Sequence, residues 1–340
     1  MKKSSFFFVS MLSFLLFLNL TFAARGESTT ASPADAHPFL TSHPINQVYA
    51  LAWSPTGNEL VTGGKNGLIQ VWNTRSKTLL TAERGSGEVY ALAWSPNGTR
   101  LASGGQDRTV HLWNATTGKQ VTTYRSVFST GEVQAVAWSP DGRYLASGSN
   151  DGIVQIWDTS MHKLLLAGSN FSGEDEVTSL AWSPEGHRLA AASTDWTVHI
   201  WDIQGSPPLA YRGHRDEAWS VGWSPNGRYL ASGSWDGTVQ VWDATTRRTV
   251  LTYRGHTEGI WSVSWSPDSR YLVSASKDQT VQVWEAMTGR RLLSYHGHTA
   301  EVWNVSWSPD GKDIASVGDG GTVHLWNAST GEEIWRLRLA

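Results

Sequence analysis

The segment GHTEGIWSVSWSPDSRYLVSASKDQTVQVWEAMTGRRLLSY, residues 255–295, contains one complete structural unit of this chain. Pro267-Asp268-Ser269 and Met287-Thr288-Gly289 have the composition of tight turns. The apolar, β-branched and aromatic runs between such breaks predict short strands. Four strands are predicted in this segment, at residues 260–266, 271–276, 280–284 and 291–295.

The same unit recurs along the chain from residue 45 onward. Seven Trp-Ser-Pro tripeptides occur 41 to 44 residues apart, and a second tryptophan follows the first residue of each by 19 positions. The paired tryptophans are Trp53 and Trp72, Trp94 and Trp113, Trp138 and Trp157, Trp182 and Trp201, Trp223 and Trp242, Trp265 and Trp284, and Trp307 and Trp326. Such units bury their faces only against one another. Because both faces of the strands are apolar or small, radial stacking of the sheets satisfies the pattern.

Composition narrows the possible classes of function. The chain has 340 residues, of which 20 are tryptophan and none is cysteine, and its formal net charge is −3. Without cysteine there is neither a disulfide framework nor a thiolate metal site. The small net charge gives no electrostatic footprint for nucleic acid.

The repeat resembles a known family. Gly255-His256, Trp265-Ser266-Pro267-Asp268, Ser274-Ala275-Ser276-Lys277-Asp278 and Val283-Trp284-Glu285 are similar to the WD repeat. The literal Trp-Asp pair begins at residues 157, 201 and 242, and the other repeats end in Trp-Asn or Trp-Glu. The resemblance covers residues 45–340 and implies an all-β fold, a closed seven-bladed β-propeller of four-stranded antiparallel blades.

Two segments could complete the last blade. In the family an N-terminal strand commonly does so, and residues 39–43 could play that role here. Glu333-Ile334-Trp335-Arg336-Leu337 could equally supply the outer strand. The C-terminal segment is favoured because it stands where the fourth strand stands in every other repeat.

The N-terminus has the pattern of a secretory signal peptide. Lys2 and Lys3 precede an apolar run over residues 6–18, and small residues at Ala23 and Ala24 suit cleavage after Ala23. We therefore expect residues 1–23 to be removed and residues 24–44 to form a flexible linker, so that the protein acts outside the cytoplasm. The alternative is an uncleaved membrane anchor, but the run is shorter than the roughly 20 residues that span a bilayer.

Two repeats contain His, Ser and Asp at the same spacing, which could suggest a catalytic triad. They are His214, Ser232, Asp236 and Trp242 in one repeat, and His256, Ser274, Asp278 and Trp284 in the next. A catalytic site needs a single constellation, whereas this one occurs in successive blades. In WD repeats these four positions form a hydrogen-bonded network within the blade, so the resemblance implies a structural role.

The other repeats depart from this pattern. Blade seven has Gly320 at the aspartate position, with Asp319 one residue early, and blades two and three lack the histidine. We therefore expect complete networks only in blades five and six and a looser first half of the ring. His111, His199 and His324 replace the glutamine of sister repeats, which indicates a polar packing position rather than a metal ligand.

One face of the disc collects acidic and aromatic residues. Antiparallel connectivity places the loop that leads into each blade beside the turn between its second and third strands. The residues on this face resemble those through which WD-repeat propellers commonly hold peptides, and they are Tyr49, Tyr90, Trp219, Trp235, Trp261, Trp303, Glu88, Glu132, Glu176, Glu217 and Glu301. Exposed aromatic side chains often contribute most of the binding energy at an interface, and acidic side chains beside them favour a lysine or arginine of the ligand.

The sequence therefore predicts a non-enzymatic scaffold that binds a protein or peptide, with a basic segment as the expected ligand. We expect no cofactor, no metal, no nucleic acid, no membrane span in the mature chain, and a monomer. A carbohydrate-binding propeller is the alternative, because tryptophan platforms with nearby acids also suit sugars. A propeller enzyme would need an acid pair or metal cluster that breaks the repeat symmetry.

Overall fold

The structure, a computed structural model, describes residues 47–125, 128–168, 175–203 and 209–339. The predicted signal peptide, the linker and the alternative closing strand at 39–43 lie outside the described residues. The described chain forms strands and turns, without an α-helix. No helix in these ranges could therefore cross a membrane.

The strands form seven four-stranded sheets, which we number as blades in chain order. Blades one to four contain β1 (Val48–Trp53), β2 (Glu59–Gly64), β3 (Leu68–Asn73), β4 (Thr78–Arg84); β5 (Val89–Trp94), β6 (Arg100–Gly105), β7 (Thr109–Asn114), β8 (Gln120–Arg125); β9 (Val133–Trp138), β10 (Tyr144–Ser149), β11 (Val154–Asp158), β12 (Lys163–Gly168); and β13 (Val177–Trp182), β14 (Arg188–Ser193), β15 (Val198–Asp202), β16 (Leu209–Tyr211). Blades five to seven contain β17 (Ala218–Trp223), β18 (Tyr229–Ser234), β19 (Val239–Asp243), β20 (Thr249–Tyr253); β21 (Ile260–Trp265), β22 (Tyr271–Ser276), β23 (Val281–Glu285), β24 (Arg291–Tyr295); and β25 (Val302–Trp307), β26 (Asp313–Gly318), β27 (Thr322–Asn327), β28 (Glu333–Arg338).

Every blade is built from consecutive strands. Each sheet has its strands in chain order and pairs them antiparallel, so the predicted seven-bladed propeller is confirmed. The last blade takes β28 as its fourth strand, paired with β27, which is the C-terminal segment of the two alternatives. The first strands of neighbouring blades contact one another around the ring, including β1 with β25, and they therefore surround a central channel.

The apolar core lies between blades rather than within them. Seven clusters of buried side chains each combine residues of two adjacent blades. Blade seven meets blade one in the same way, where Val317 and Leu325 pack with Val48, Leu51 and Trp53. Among the described strands none is exchanged across this joint, and side-chain packing joins the two blades.

The first tryptophan of five of the seven pairs also forms a hydrogen bond to the neighbouring blade. The indole nitrogen of Trp94 donates to the carbonyl oxygen of Ala52 in the preceding blade at 3.2 Å, and Trp53 donates to Ser306 across the closing joint at the same distance. The bond recurs from Trp138, Trp182 and Trp265. The indole nitrogens of Trp223 and Trp307 have no hydrogen-bond partner in the described chain.

Candidate functional site

A β-bulge re-aims one side chain of every innermost strand. The pairing between the first and second strands shifts at the second residue of the first strand in all seven blades. In blade five the bulged residue is Trp219, and it is partly exposed while its neighbours Ala218 and Ser220 are buried. Bulges commonly redirect side chains next to binding sites. Here they direct the predicted aromatic positions toward the mouth of the channel.

The residue before each innermost strand is fixed by the turn between the second and third strands. The amide of Trp235 donates to the carbonyl oxygen of Glu217 at 2.9 Å, and the amide of Thr194 donates to that of Glu176 at 3.2 Å. Equivalent bonds occur in all seven blades. The residue before each innermost strand and the turn residue that bonds to it, which the sequence predicts to share one face, are therefore adjacent in the structure.

Six aromatic side chains from blades five, six, seven, one and two form a continuous surface, which we call the aromatic arc. Its members are Trp235, Trp219, Trp261, Trp303, Tyr49 and Tyr90. Trp261 is at its centre, with ring-centroid distances of 4.8 Å to Trp219, 5.3 Å to Trp235 and 4.3 Å to Trp303. Blades three and four have Gln134 and Thr178 at the equivalent positions, so the arc is open on that side.

Five half-buried glutamates, which we call the glutamate ring, stand beside the aromatic arc. They are Glu88, Glu132, Glu176, Glu217 and Glu301. The indole of Trp219 donates to Glu217 and that of Trp261 donates to Glu301, both at 3.1 Å. Burial and the charge of Glu88 raise the pKa of Tyr49, whose hydroxyl donates to Gln47 Oε1 at 3.0 Å.

Tyr90 is held in a similar environment to Tyr49. Burial and the charges of Glu88 and Glu132 raise its pKa. Two carboxylates of the glutamate ring, those of Glu217 and Glu301, thus accept hydrogen bonds from indoles of the aromatic arc.

Blade six interrupts the glutamate ring with Gly259, and the structure gives the reason. A Cβ atom at this position would lie 3.3 Å from the Cα and 3.4 Å from the Cγ of Trp235, so Trp235 occupies the space of the missing side chain. The ammonium of Lys277 lies 4.8 Å from the centroid of the Trp235 ring. This face therefore already holds one cation of the chain itself against a tryptophan.

The predicted His-Ser-Asp sets are brought together inside their blades. In blade six, His256 Nδ1 lies 2.8 Å from Asp278 and its Nε2 lies 2.8 Å from Ser274, which also accepts a bond from Trp284 at 3.2 Å. In blade five, His214 has the corresponding distances of 3.2 Å to Asp236 and 2.7 Å to Ser232.

Blade five departs from the prediction at its tryptophan. The indole nitrogen of Trp242 has no partner in the described chain, so the fourth bond of the predicted network is missing there. The ring of Trp242 is instead fully buried and stacks on Tyr211 of the preceding blade at 4.3 Å.

The aspartates of the first blades have other partners. Asp107 lies 2.7 Å from His111, and Asp151 accepts bonds from Ser129 and from the amides of Thr130 and Gly131. These two carboxylates therefore have partners although their blades lack the histidine of the network. The sequence did not indicate these partners. In blade seven Asp319 lies outside the network, as its register predicts, and accepts a hydrogen bond from Gln47 of blade one.

The three histidines at glutamine positions have polar partners. His111 lies beside Asp107, His199 beside Asp195 at 3.5 Å, and His324 beside Tyr295 at 2.8 Å. Within the described ranges no group of three or more histidine and acidic side chains is arranged to hold a metal ion.

One repeated element escaped the sequence analysis. Tyr253 and Tyr295, each at the end of a fourth strand, stack on the second tryptophan of the following blade, Trp284 at 4.2 Å and Trp326 at 4.7 Å. At the closing joint Trp335 contacts Trp72 instead, at 5.9 Å. The signal was available, because Tyr211, Tyr253 and Tyr295 precede by two residues the Gly-His pairs that begin at 213, 255 and 297.

Comparison with known proteins agrees with this architecture. The family model of the IFT122 first beta-propeller matches residues 47–206, 129–284 and 176–340. The three matches overlap and together cover all seven blades, as expected when one model fits a repeated unit in several positions. No curated protein matches the chain.

Proposed function

Because the chain belongs to the family of the IFT122 first beta-propeller, a family of WD-repeat propellers, we propose that it is a non-enzymatic scaffold that holds a basic peptide segment over the channel mouth. The fold itself is that of a protein-interaction scaffold. The finer proposal rests on one observation, the continuous aromatic arc bordered by the glutamate ring. Fold alone does not determine function, so the proposal depends on the residues of this face.

The chemistry of this face favours a ligand that is both cationic and apolar. Low-dielectric walls around a channel mouth strengthen the field of the glutamates. Tryptophan faces attract ammonium and guanidinium groups and also bury apolar surface. A segment with a cation near the channel and apolar side chains on the tryptophans uses both properties. We expect the protein to bind it as a monomer.

The His-Ser-Asp sets do not argue for catalysis. In blades five and six the histidine is buried and bonded on one side to the serine and on the other to the aspartate. The sets are repeated from blade to blade and hold the loop that leads into each blade. We therefore propose that they stabilise the scaffold.

Trp261→Ala tests the proposal directly. Loss of this central ring should weaken binding of a short arginine- and leucine-containing peptide by about 2 kcal/mol or more, because tryptophans at the centre of an interface are typical hot spots. Isothermal titration calorimetry measures the affinity. Trp196→Ala is the matched control, since Trp196 is 49% exposed and lies outside the aromatic arc. A neutral glycan that bound without salt dependence would instead favour the carbohydrate alternative.

We also propose that the protein is exported and that its signal peptide is removed after Ala23. The support is the sequence pattern of Lys2, Lys3 and the apolar run that follows. N-terminal sequencing of secreted material should begin at Ala24 or Arg25. Recovery of the full-length chain in membranes would contradict cleavage and support an N-terminal anchor.

A further inference from the structure

A lysine of the chain itself covers one tryptophan of the aromatic arc. Trp235 lies in the turn between β18 and β19 of blade five, is 36% exposed, and stands perpendicular to Trp261 with 5.3 Å between the ring centroids. The ammonium of Lys277, from the equivalent turn of blade six, lies over the Trp235 ring at 4.8 Å from its centroid. Among the described residues this ammonium makes no ion pair or hydrogen bond, so the ring is the group that holds it.

This contact is not part of the repeated architecture. The cation–π contacts of Arg143, Arg228 and Arg270 each join an arginine to the tyrosine that follows it, and they recur in blades three, five and six. The contact between Lys277 and Trp235 instead joins two blades at the channel mouth, and Trp235 is the only aromatic residue at its turn position in the seven repeats. A contact that the repeat does not require is a candidate for a role in binding.

One further departure from the repeat makes room for the ring. Blade six has Gly259 where five other blades have the residues of the glutamate ring, and a Cβ atom there would lie 3.3 Å from the Cα of Trp235. A glutamate at position 259 would therefore compete with Trp235 for the same space. At this point of the mouth an aromatic face replaces a carboxylate as the group that can attract a cation.

The contact of Lys277 is weak enough to be displaced. Cation–π contacts that are exposed to water are much weaker than those from which water is excluded. A ligand that lies across the aromatic arc excludes water from Trp235, so its own cation gains more from the ring than Lys277 does in the free protein. The ammonium of Lys277 is strongly hydrated on a flexible stem and loses little by returning to solvent.

We propose that the face of Trp235 is the subsite for a cationic side chain of the ligand, and that Lys277 occupies it in the free protein as an intramolecular competitor. This inference rests on the proposed function, because it names the point of the aromatic arc at which the same ligand places its cation. Binding requires Lys277 to leave the ring, so this lysine lowers the affinity of the protein for its cationic ligand.

The binding test compares two peptides on three proteins. The probes are acetyl-Gly-Leu-Arg-Leu-Gly-amide and the same peptide with citrulline, which keeps the shape of arginine and removes its charge. Lys277→Ala should raise the preference for the arginine peptide about two- to fivefold over that of the wild type, the factor that corresponds to an exposed cation–π contact. Lys65→Ala is the matched control, because Lys65 stands at the same turn position in blade one and carries the same charge. Titration in about 0.3 M NaCl screens the long-range field that both substitutions change.

Nuclear magnetic resonance supplies a second readout, which observes Lys277 directly. The ring current of Trp235 should shift the ε-methylene protons of Lys277 upfield in the free protein, and the loss of this signal in Lys277→Ala assigns it. Saturation with the arginine peptide should return the signal to the range of the other lysines.

Three results would overturn the inference while leaving the proposed function in place. They are an upfield signal that persists in the saturated complex, an unchanged arginine preference in Lys277→Ala, and an equal rise of that preference in Lys65→Ala. Failure of both the wild type and Lys277→Ala to bind either peptide would overturn the inference and the proposed function together.

Discussion

The carboxylate of Asp278 accepts four hydrogen bonds in its blade. It accepts bonds from His256, from the amides of Thr257 and Thr280, and from the Thr280 hydroxyl. Burial alone would raise the pKa of Asp278, but the bond and attraction to His256 and the bonds from Thr280 hold it well below its usual range. Removing this group leaves several buried donors without an acceptor.

Asp278→Ala should therefore reduce the free energy of unfolding by roughly 1–3 kcal/mol, the usual cost of unsatisfied buried polar groups. Asp319→Ala should cost less, because Asp319 lies outside the blade network and bonds only Gln47 among the described side chains. Urea denaturation measures both. Equal losses at the two positions would contradict the prediction that Asp319, one residue out of register, lies outside the network.

Two histidines in blade seven should make stability depend on pH. Burial, His324 and Arg336 lower the pKa of His298 to about 3, and burial and Arg336 lower that of His324 to about 4. Their ring centroids are only 4.0 Å apart. In the unfolded chain both take up protons near pH 6.5. Between that pH and the folded pKa values, the two histidines bind protons in the unfolded state but not in the folded state.

The free energy of unfolding should thus be highest above pH 6.5 and fall as the pH drops toward the folded pKa values. His298→Gln should make the decline between about pH 6.5 and 5 shallower. Chemical denaturation across this range measures the slope. The exposed His187→Gln is the control and should keep the wild-type slope. An unchanged slope in His298→Gln would contradict the prediction.

The sequence predicted which side chains face the mouth but not how they bond to one another. Position in the repeat was enough to place Trp261 and Glu301 on one face. That the indole of Trp261 reaches Glu301 of the next blade depends on side-chain orientation across a joint.

Strands are the part of the structure that local sequence specifies best. Blade six was predicted to have strands at 260–266, 271–276, 280–284 and 291–295, and the observed β21 to β24 differ by one residue at most. Pro267 and the following turn residues set these limits, and Ser269 adopts a φ of 62° there. The packing of strands between blades is not local, which is why the tyrosine stacks were missed.

The joints between blades can be tested through the repeated tryptophans. Trp94 donates its indole hydrogen to Ala52, whereas Trp307 is equally buried and has no partner in the described chain. Trp94→Phe should cost about 0.5–1.5 kcal/mol more than Trp307→Phe, because both lose the same volume and only one loses a hydrogen bond. Equal changes in the unfolding free energy would show that the bond contributes nothing.

Around the whole ring, binding groups and stabilising groups are separated. The aromatic arc and the glutamate ring lie at the mouth, on bulged or preceding positions of the innermost strands. The apolar clusters and the His-Ser-Asp networks lie between and within the blades. Since the two sets share few side chains, we expect substitutions at the mouth to change affinity with little effect on folding.

The joint between blades seven and one has a mechanical consequence. The two ends of the described chain meet there, where Leu339 packs in one cluster with Val48, and none of the described strands crosses from one blade to the other. A tensile force applied at both ends would load this joint first and peel the blades apart, rather than shear a shared strand. The arc of Tyr49 and Trp303 spans the same joint, so tension that opened the ring would also release whatever the mouth holds.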